Sequence, residues 1–144
     1  MRTFLIVISV VLFSLTGCKS EKGPAKLGGM KWVLKSLNGK EVVLSEPDNS
    51  MYIFFNDGEK KVNGRAACNR FFGDFEITGT ELKFSPVGAT RMACPNDSKW
   101  ESAFFLMLEK VDGYSVKENI LAFTSEGKEV AKFEGQAMCA KQDK

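Results

Sequence analysis

From Met30 to about residue 134 the chain reads as short apolar or alternating runs, each closed within a few residues by a tight-turn signal. This punctuation limits the fold more than any other feature, because segments so short can bury apolar surface only by pairing laterally. "KWVLKSL" carries Trp32, Leu34 and Leu37 and is followed by Asn38-Gly39, a strong two-residue hairpin signal. "EVVL" and "MYIFF" come next, the latter closed by "NDG" at 56–58. "KKVNGRAACNRF", "GDFEI", a "TGT" turn at 78–80 and "ELKF" follow, with "VGATRMA" as a further candidate strand. "YSVK", "ILAF", an "SEG" turn at 125–127 and "EVAKF" close the series. Eight or nine short strands at this spacing predict a mainly β fold: a small antiparallel β-barrel or strongly curled sheet. Closure would also remove exposed strand edges.

One segment breaks the pattern. In "NDSKWESAFFLMLEKVDG", residues 96–113, Trp100, Ala103, Phe104, Met107, Leu108 and Val111 form the stripe of an amphipathic helix. Ser98 and Glu101 have capping-box spacing, and Gly113 fits a left-handed residue after the helix end. Phe105 and Leu106 widen the stripe and predict deep burial. The expected fold is thus a sheet with one packed α-helix.

The start of the chain is of another kind. Arg2 precedes an almost wholly apolar run, Phe4 to Leu15, of the length of a secretory hydrophobic region and too short to span a bilayer. "LTGC" at 15–18 resembles the bacterial lipobox, in which the cysteine thiol is acylated and cleavage falls just before it. Residues 1–17 are therefore expected to be a lipoprotein signal peptide, with Cys18 the lipid-attachment site and the first mature residue. Several acyl chains would anchor the protein to a membrane without spanning it. Lys19, where no aspartate stands, favours the outer membrane by the enterobacterial sorting rule. Residues 18–29, rich in Gly, Lys and Pro, read as a flexible tether. Residues 135–144 lack a period and are expected to fray.

Charge and composition exclude several classes of function. The net charge is +2; removal of residues 1–17 removes Arg2 alone and leaves +1, which argues against nucleic acid as a partner. There is no histidine, so Ser-His-Asp triads, Cys-His pairs and His-ligated zinc are ruled out.

Cys68 and Cys94 are the residues most suggestive of chemistry. In an exported protein a disulfide between them is expected. Cys139, in the terminal tail, is left as a free thiol or an intermolecular partner. A redox couple is a weaker reading, because the spacing is not Cys-x-x-Cys. Copper(I) held by Met92, Cys94, Met138 and Cys139 is another. The cations Lys60, Lys61, Arg65 and Arg70, with Phe71 and Phe72, could meet an anionic lipid or glycan, or form an ordinary solvated face. Asp57, Glu59, Asp74 and Glu76 carry no motif for glycoside hydrolysis.

"WVLKSLNG", "VNGRAACNRFFGDF", "ATRMAC", a helix holding Glu101 and Leu108, then "VDGYSV" and "ILAF", together resemble the META domain of HslJ-type lipoproteins. The resemblance covers about residues 30–134. It implies a compact, mainly β domain with one packed helix, in bacterial envelope proteins some of which are linked to heat or antibiotic stress. No catalytic residue comes with it. The sequence departs from the family's pattern at Ala67, where many members have glycine; a positive φ there would cost alanine about 1 kcal/mol. The combined expectation is a lipid-anchored envelope protein without enzymatic activity, metal or cofactor. It would be a binding or structural module in stress tolerance, its partner an unidentified envelope protein or glycan. The alternatives are a small-ligand or copper carrier and, less favoured, a thiol redox enzyme.

Overall fold

The computed structural model describes residues 26–46 and 49–138. Cys18, the signal-peptide segment 1–17 and Cys139 lie outside the described residues. Ten strands and one helix follow in the order β1 (Met30–Leu37), β2 (Lys40–Glu41), β3 (Tyr52–Asn56), β4 (Lys61–Ala66), β5 (Asn69–Thr78), β6 (Glu81–Phe84), β7 (Gly88–Ala89), α1 (Ser98–Lys110), β8 (Gly113–Lys117), β9 (Ile120–Ser125) and β10 (Lys128–Ala137). Eight of them form a closed antiparallel barrel in the order β1-β3-β4-β5-β6-β8-β9-β10, with β10 pairing back onto β1. β2 and β7 are short additions on β1 and β5. The barrel expected from the turn spacing is the one observed.

The turns follow local chemistry. Asn38 and Gly39 both have positive φ (50° and 75°), as do Glu126 and Gly127 (50° and 73°), the backbone that lets a two-residue loop match strand twist. Inward residues alternate along each strand and fill the barrel. Trp32, Ile53, Phe75, Leu82, Leu121, Phe123 and Phe133 are wholly buried, and Phe55 meets Phe75 edge-on at 5.0 Å. The interior is thus a packed core.

Helix α1 packs against β4 and β6 and carries Phe104, Met107 and Leu108 into the core. Phe71 meets Phe104 at 5.4 Å. The stripe is narrower than expected: Phe105 is half-buried and Leu106 is 50% exposed. The helix ends on Val111 in extended backbone, and Gly113 opens β8 instead of taking a left-handed cap. The capping box also does not form. Asp97 is the N-cap and makes no side-chain cap bond, while Glu101 turns to another partner.

Both ends of the domain extend past the expected boundaries. Leu27, placed by composition in the tether, is buried, and its carbonyl accepts a hydrogen bond from the Trp32 indole N–H at 2.8 Å. The Gly28 N–H donates to Asp57 Oδ2 at 3.0 Å. At the other terminus β10 continues to Ala137, opposite Met30. Gly135 lies opposite Trp32, and a Cβ there would come within 2.9 Å of the indole. Gly135 is buried against Trp32, Met30 and Asn119, while Gln136 and Ala137 are exposed, so this end of the strand shows no apolar period.

Candidate functional site

"AACN" is a hairpin turn. Ala66 pairs with Asn69, so Ala67 and Cys68 are the two loop residues between β4 and β5. On sequence alone "KKVNGRAACNRF" is one segment; the structure divides it into β4 and β5 at this turn. Ala67 has φ 51°, the left-handed backbone that its departure from glycine called into question.

Cys68 is joined to Cys94 by a disulfide, Cα atoms 6.0 Å apart, within the normal range for a bridge. It ties the hairpin to the segment that leads from β7 to α1. Asn69, 2% exposed, fastens the same two parts by its side chain and adds helix α1. Its amide group donates to the Met92 carbonyl (3.1 Å) and to both Glu101 carboxylate oxygens (2.8 and 3.0 Å). Its carbonyl oxygen accepts from the Met92 N–H (2.7 Å) and the Thr90 hydroxyl (2.8 Å). Every polar atom of a buried amide is thereby satisfied. Glu101 also accepts from the Asn69 N–H at 3.3 Å, which is why it is not available for a capping box. The Cys-Asn and Met-Ala-Cys motifs thus form one clamp, and Asn69 is the member whose role the spacing alone did not reveal.

A second tie holds the segment between β2 and β3 against the helix start. Asp97 accepts from the Ser45 N–H (3.0 Å) and hydroxyl (2.7 Å), and the Trp100 indole donates to the Val43 carbonyl (3.0 Å).

The Cys68 and Cys94 sulfurs and a Glu101 oxygen lie within 4.8 Å of one another, but the sulfurs are bonded together and the carboxylate serves Asn69, so this set does not fit a metal ion. Met92 lies by the clamp, whereas Met138 follows β10 at the opposite barrel end; the proposed copper ligands are not brought together. Of the four acidic residues, Glu59, Asp74 and Glu76 line one shallow groove with Lys60 and Lys61, where Glu59 accepts from the Asn56 amide, Asp74 pairs with Lys61 and Glu76 stands opposite Lys83 of β6; Asp57 is outside that groove and holds Gly28. The hydrogen bond to Asp74, then its charge, holds the Lys61 ammonium above its ordinary pKa. Lys60 occupies a turn at φ 55° and lines the same groove as Lys61, whereas Arg65 and Arg70 pair near the far end of the β4–β5 hairpin.

Comparison with known proteins agrees with this architecture. The sequence model of the META domain matches residues 25–137, which includes Leu27 and the full length of β10. The chain is 35% identical over 86 residues to "Heat shock protein HslJ" of Escherichia coli (strain K12); the match spans 57% of this chain and 59% of HslJ, less than two thirds of that relative. An NMR structure of a protein from Burkholderia xenovorans superposes with TM-score 0.62 at 21% identity, covering 78% of this chain and 85% of the other. A second NMR structure gives TM-score 0.60 at 26% identity, with 75% and 90% covered.

Proposed function

The chain belongs to the META domain family, and from that premise we propose that it is a lipid-anchored bacterial envelope protein whose barrel is a non-enzymatic binding or structural module in stress tolerance. One observation carries the non-enzymatic part. The residues with the most chemical potential, Cys68, Asn69, Cys94 and Glu101, are engaged in holding hairpin, loop and helix together. The packed interior supports an outer-surface binding mode, since aromatic side chains fill the space where a carried ligand would sit. The lipobox-like "LTGC" at 15–18 supports the anchor, with Cys18 acylated and outer-membrane retention favoured by Lys19. The name of the HslJ relative, a heat shock protein, supports the link to stress.

Intact-mass analysis of native protein extracted from membranes, alkylated before and after reduction, tests anchor and disulfide together. The expected result is a mature chain beginning at acylated Cys18, with Cys68 and Cys94 alkylated only after reduction. An unmodified Cys18 in a soluble fraction would overturn the anchor. Alkylation of Cys68 and Cys94 without reductant would return thiol chemistry to the front.

A further inference from the structure

β6, the segment Ser85–Val87 and β7 are successive parts of one long partner of β5. Phe84 stands opposite Phe75, and Gly88 opposite Phe72. Between and beyond them, the Ser85 N–H donates to the Asp74 carbonyl and the Thr90 N–H to the Arg70 carbonyl, each at 3.0 Å. The other side of this strand is covered only at its start. There Glu81 stands opposite Gly113 of β8, and the Leu82 N–H donates to the Asp112 carbonyl at 3.2 Å. Among the described residues, no strand pairs with that side from Lys83 to Thr90. The Thr90 N–H points at β5 and the ladder alternates, so the Ala89 N–H and C=O point away from β5. Those of Val87, two residues earlier, do the same. Pro86 does not blunt this edge. Its ring nitrogen falls on the β5 side, where the Ser85 N–H makes the bond that a proline cannot.

A groove of about 660 Å³ runs along the open edge. One wall is Val87, Gly88 and Ala89, and the other is α1 through Phe105, Leu108 and Glu109. Leu108 is buried at its floor, and Phe105 is half-buried. The next helical residue, Leu106, is 50% exposed, so apolar surface continues past the rim. The two ends carry opposite charges. Arg91 lines the groove and precedes Met92, whose main chain is held by Asn69 next to Glu101. Glu109 lies about 12 Å further along the helix axis than Glu101. Among the described residues, neither Arg91 nor Glu109 belongs to an ion pair.

We infer that this groove binds an extended peptide segment of a partner protein, which adds as a strand to the open edge beside α1. Unpaired main chain offers donors and acceptors at the period of another strand, and alternate side chains of that strand would enter the apolar groove. From Phe84 to Ala89 the edge is roughly 17 Å long, room for about five residues. An acidic side chain toward Arg91 and a basic one toward Glu109 would complement the two ends. An acyl chain fits less well, because it would desolvate the Val87 and Ala89 main chain without replacing its bonds. A second copy of the chain fits less well, because its matching edge carries its own α1 alongside and both helices would have to share one seam. The inference deepens the binding-module reading above by giving the partner's chemistry.

The test offers a phage-displayed library of random dodecapeptides to the full-length protein in neutral detergent. Selection should enrich peptides of alternating apolar residues with one acidic and one basic flank. Made synthetically, these should bind the parent protein and lose about tenfold or more in affinity when alternate amides are N-methylated, which removes main-chain donors and keeps the side chains. Ala89→Pro deletes a donor of the open edge and none used by β5, a substitution that an edge strand tolerates. It should weaken binding as much, with the thermal midpoint retained. Arg91→Glu should weaken binding of the acidic-flanked peptides and restore it when that flank is changed to lysine. If Ala89→Pro does not fold, the N-methylated peptides and the Arg91→Glu reversal still decide. A selection that enriches no binding peptide would overturn the proposal, as would N-methylated peptides that bind like their parents or an Arg91→Glu protein without the reversal. Displacement of the peptides by dodecanoate, or a dimer in sedimentation that Ala89→Pro abolishes, would overturn the choice of occupant. None of these readouts depends on acylation of Cys18 or on the disulfide, so failure here is distinct from failure of the reading above.

Discussion

Ala67 shows how opposing terms of similar size meet at one residue. Its left-handed φ of 51° costs an L-residue about 1–2 kcal/mol. Glycine would relieve that but lose about 0.5–1 kcal/mol of backbone entropy and about 0.8 kcal/mol for a buried methyl group. Ala67→Gly is therefore expected to be nearly neutral in urea unfolding. Ala66→Gly, one residue earlier in regular β4, has no strain to relieve and should cost about 1.5 kcal/mol by the same terms. Equal losses at the two sites would refute this reading of the turn. Tyr114 offers a second test. Its hydroxyl is buried with no hydrogen-bond partner, and burial, then the charge of Asp57, raises its pKa above the ordinary 10.0. The unfolded chain therefore releases this proton at lower pH than the native one. The associated stability is present below pH 10.0 and falls as pH rises through the native value. Tyr114→Phe should be neutral or stabilising at pH 7 and should lose less stability than the parent under alkaline conditions. A parallel pH profile for the two proteins would refute it.

At the scale of elements, the Cys68–Cys94 bridge joins the hairpin β4–β5 to the segment after β7, and Asn69 joins both to helix α1. The bridge closes a loop with a sequence separation of 26, worth about 3 kcal/mol in the chain-entropy model. The double substitution of both cysteines by serine is expected to lower stability by about that amount while the far-ultraviolet spectrum is retained, because the Asn69 bonds remain. The expectation fails if the double variant unfolds at the parent's denaturant midpoint. The N-terminal segment before β1 behaves as part of the core and not as a spacer. Leu27→Ala should cost about 2–4 kcal/mol, measured by equilibrium unfolding, whereas a residue in a solvated tether would cost almost nothing.

At the scale of the whole molecule, closure depends on β1 pairing with β10 along nearly its full length. The start of β1 and the end of β10 lie together, with Met30 opposite Ala137. A stop codon after Glu134, the boundary that hydrophobic periodicity suggests, would remove the partners of Met30, Lys31 and Trp32. It should lower the thermal midpoint markedly, and an unchanged midpoint would show that closure does not need these pairs. The sequence by itself determined the strand-rich pattern, the hairpin turns at Asn38-Gly39 and Glu126-Gly127, the single helix, and the pair of cysteines worth joining. Each of these is a local signal, set by backbone preferences or by a period of two or 3.6 residues. Only the tertiary structure decided that "AACN" is a turn, that Glu101 serves Asn69 instead of capping its own helix, and that Leu27 and Gly135 belong to the barrel. It also decided that β7 and helix α1 line one groove. Those facts depend on strand register and on which side chain fills a given space, and residues far apart in the chain meet only when the sheet closes.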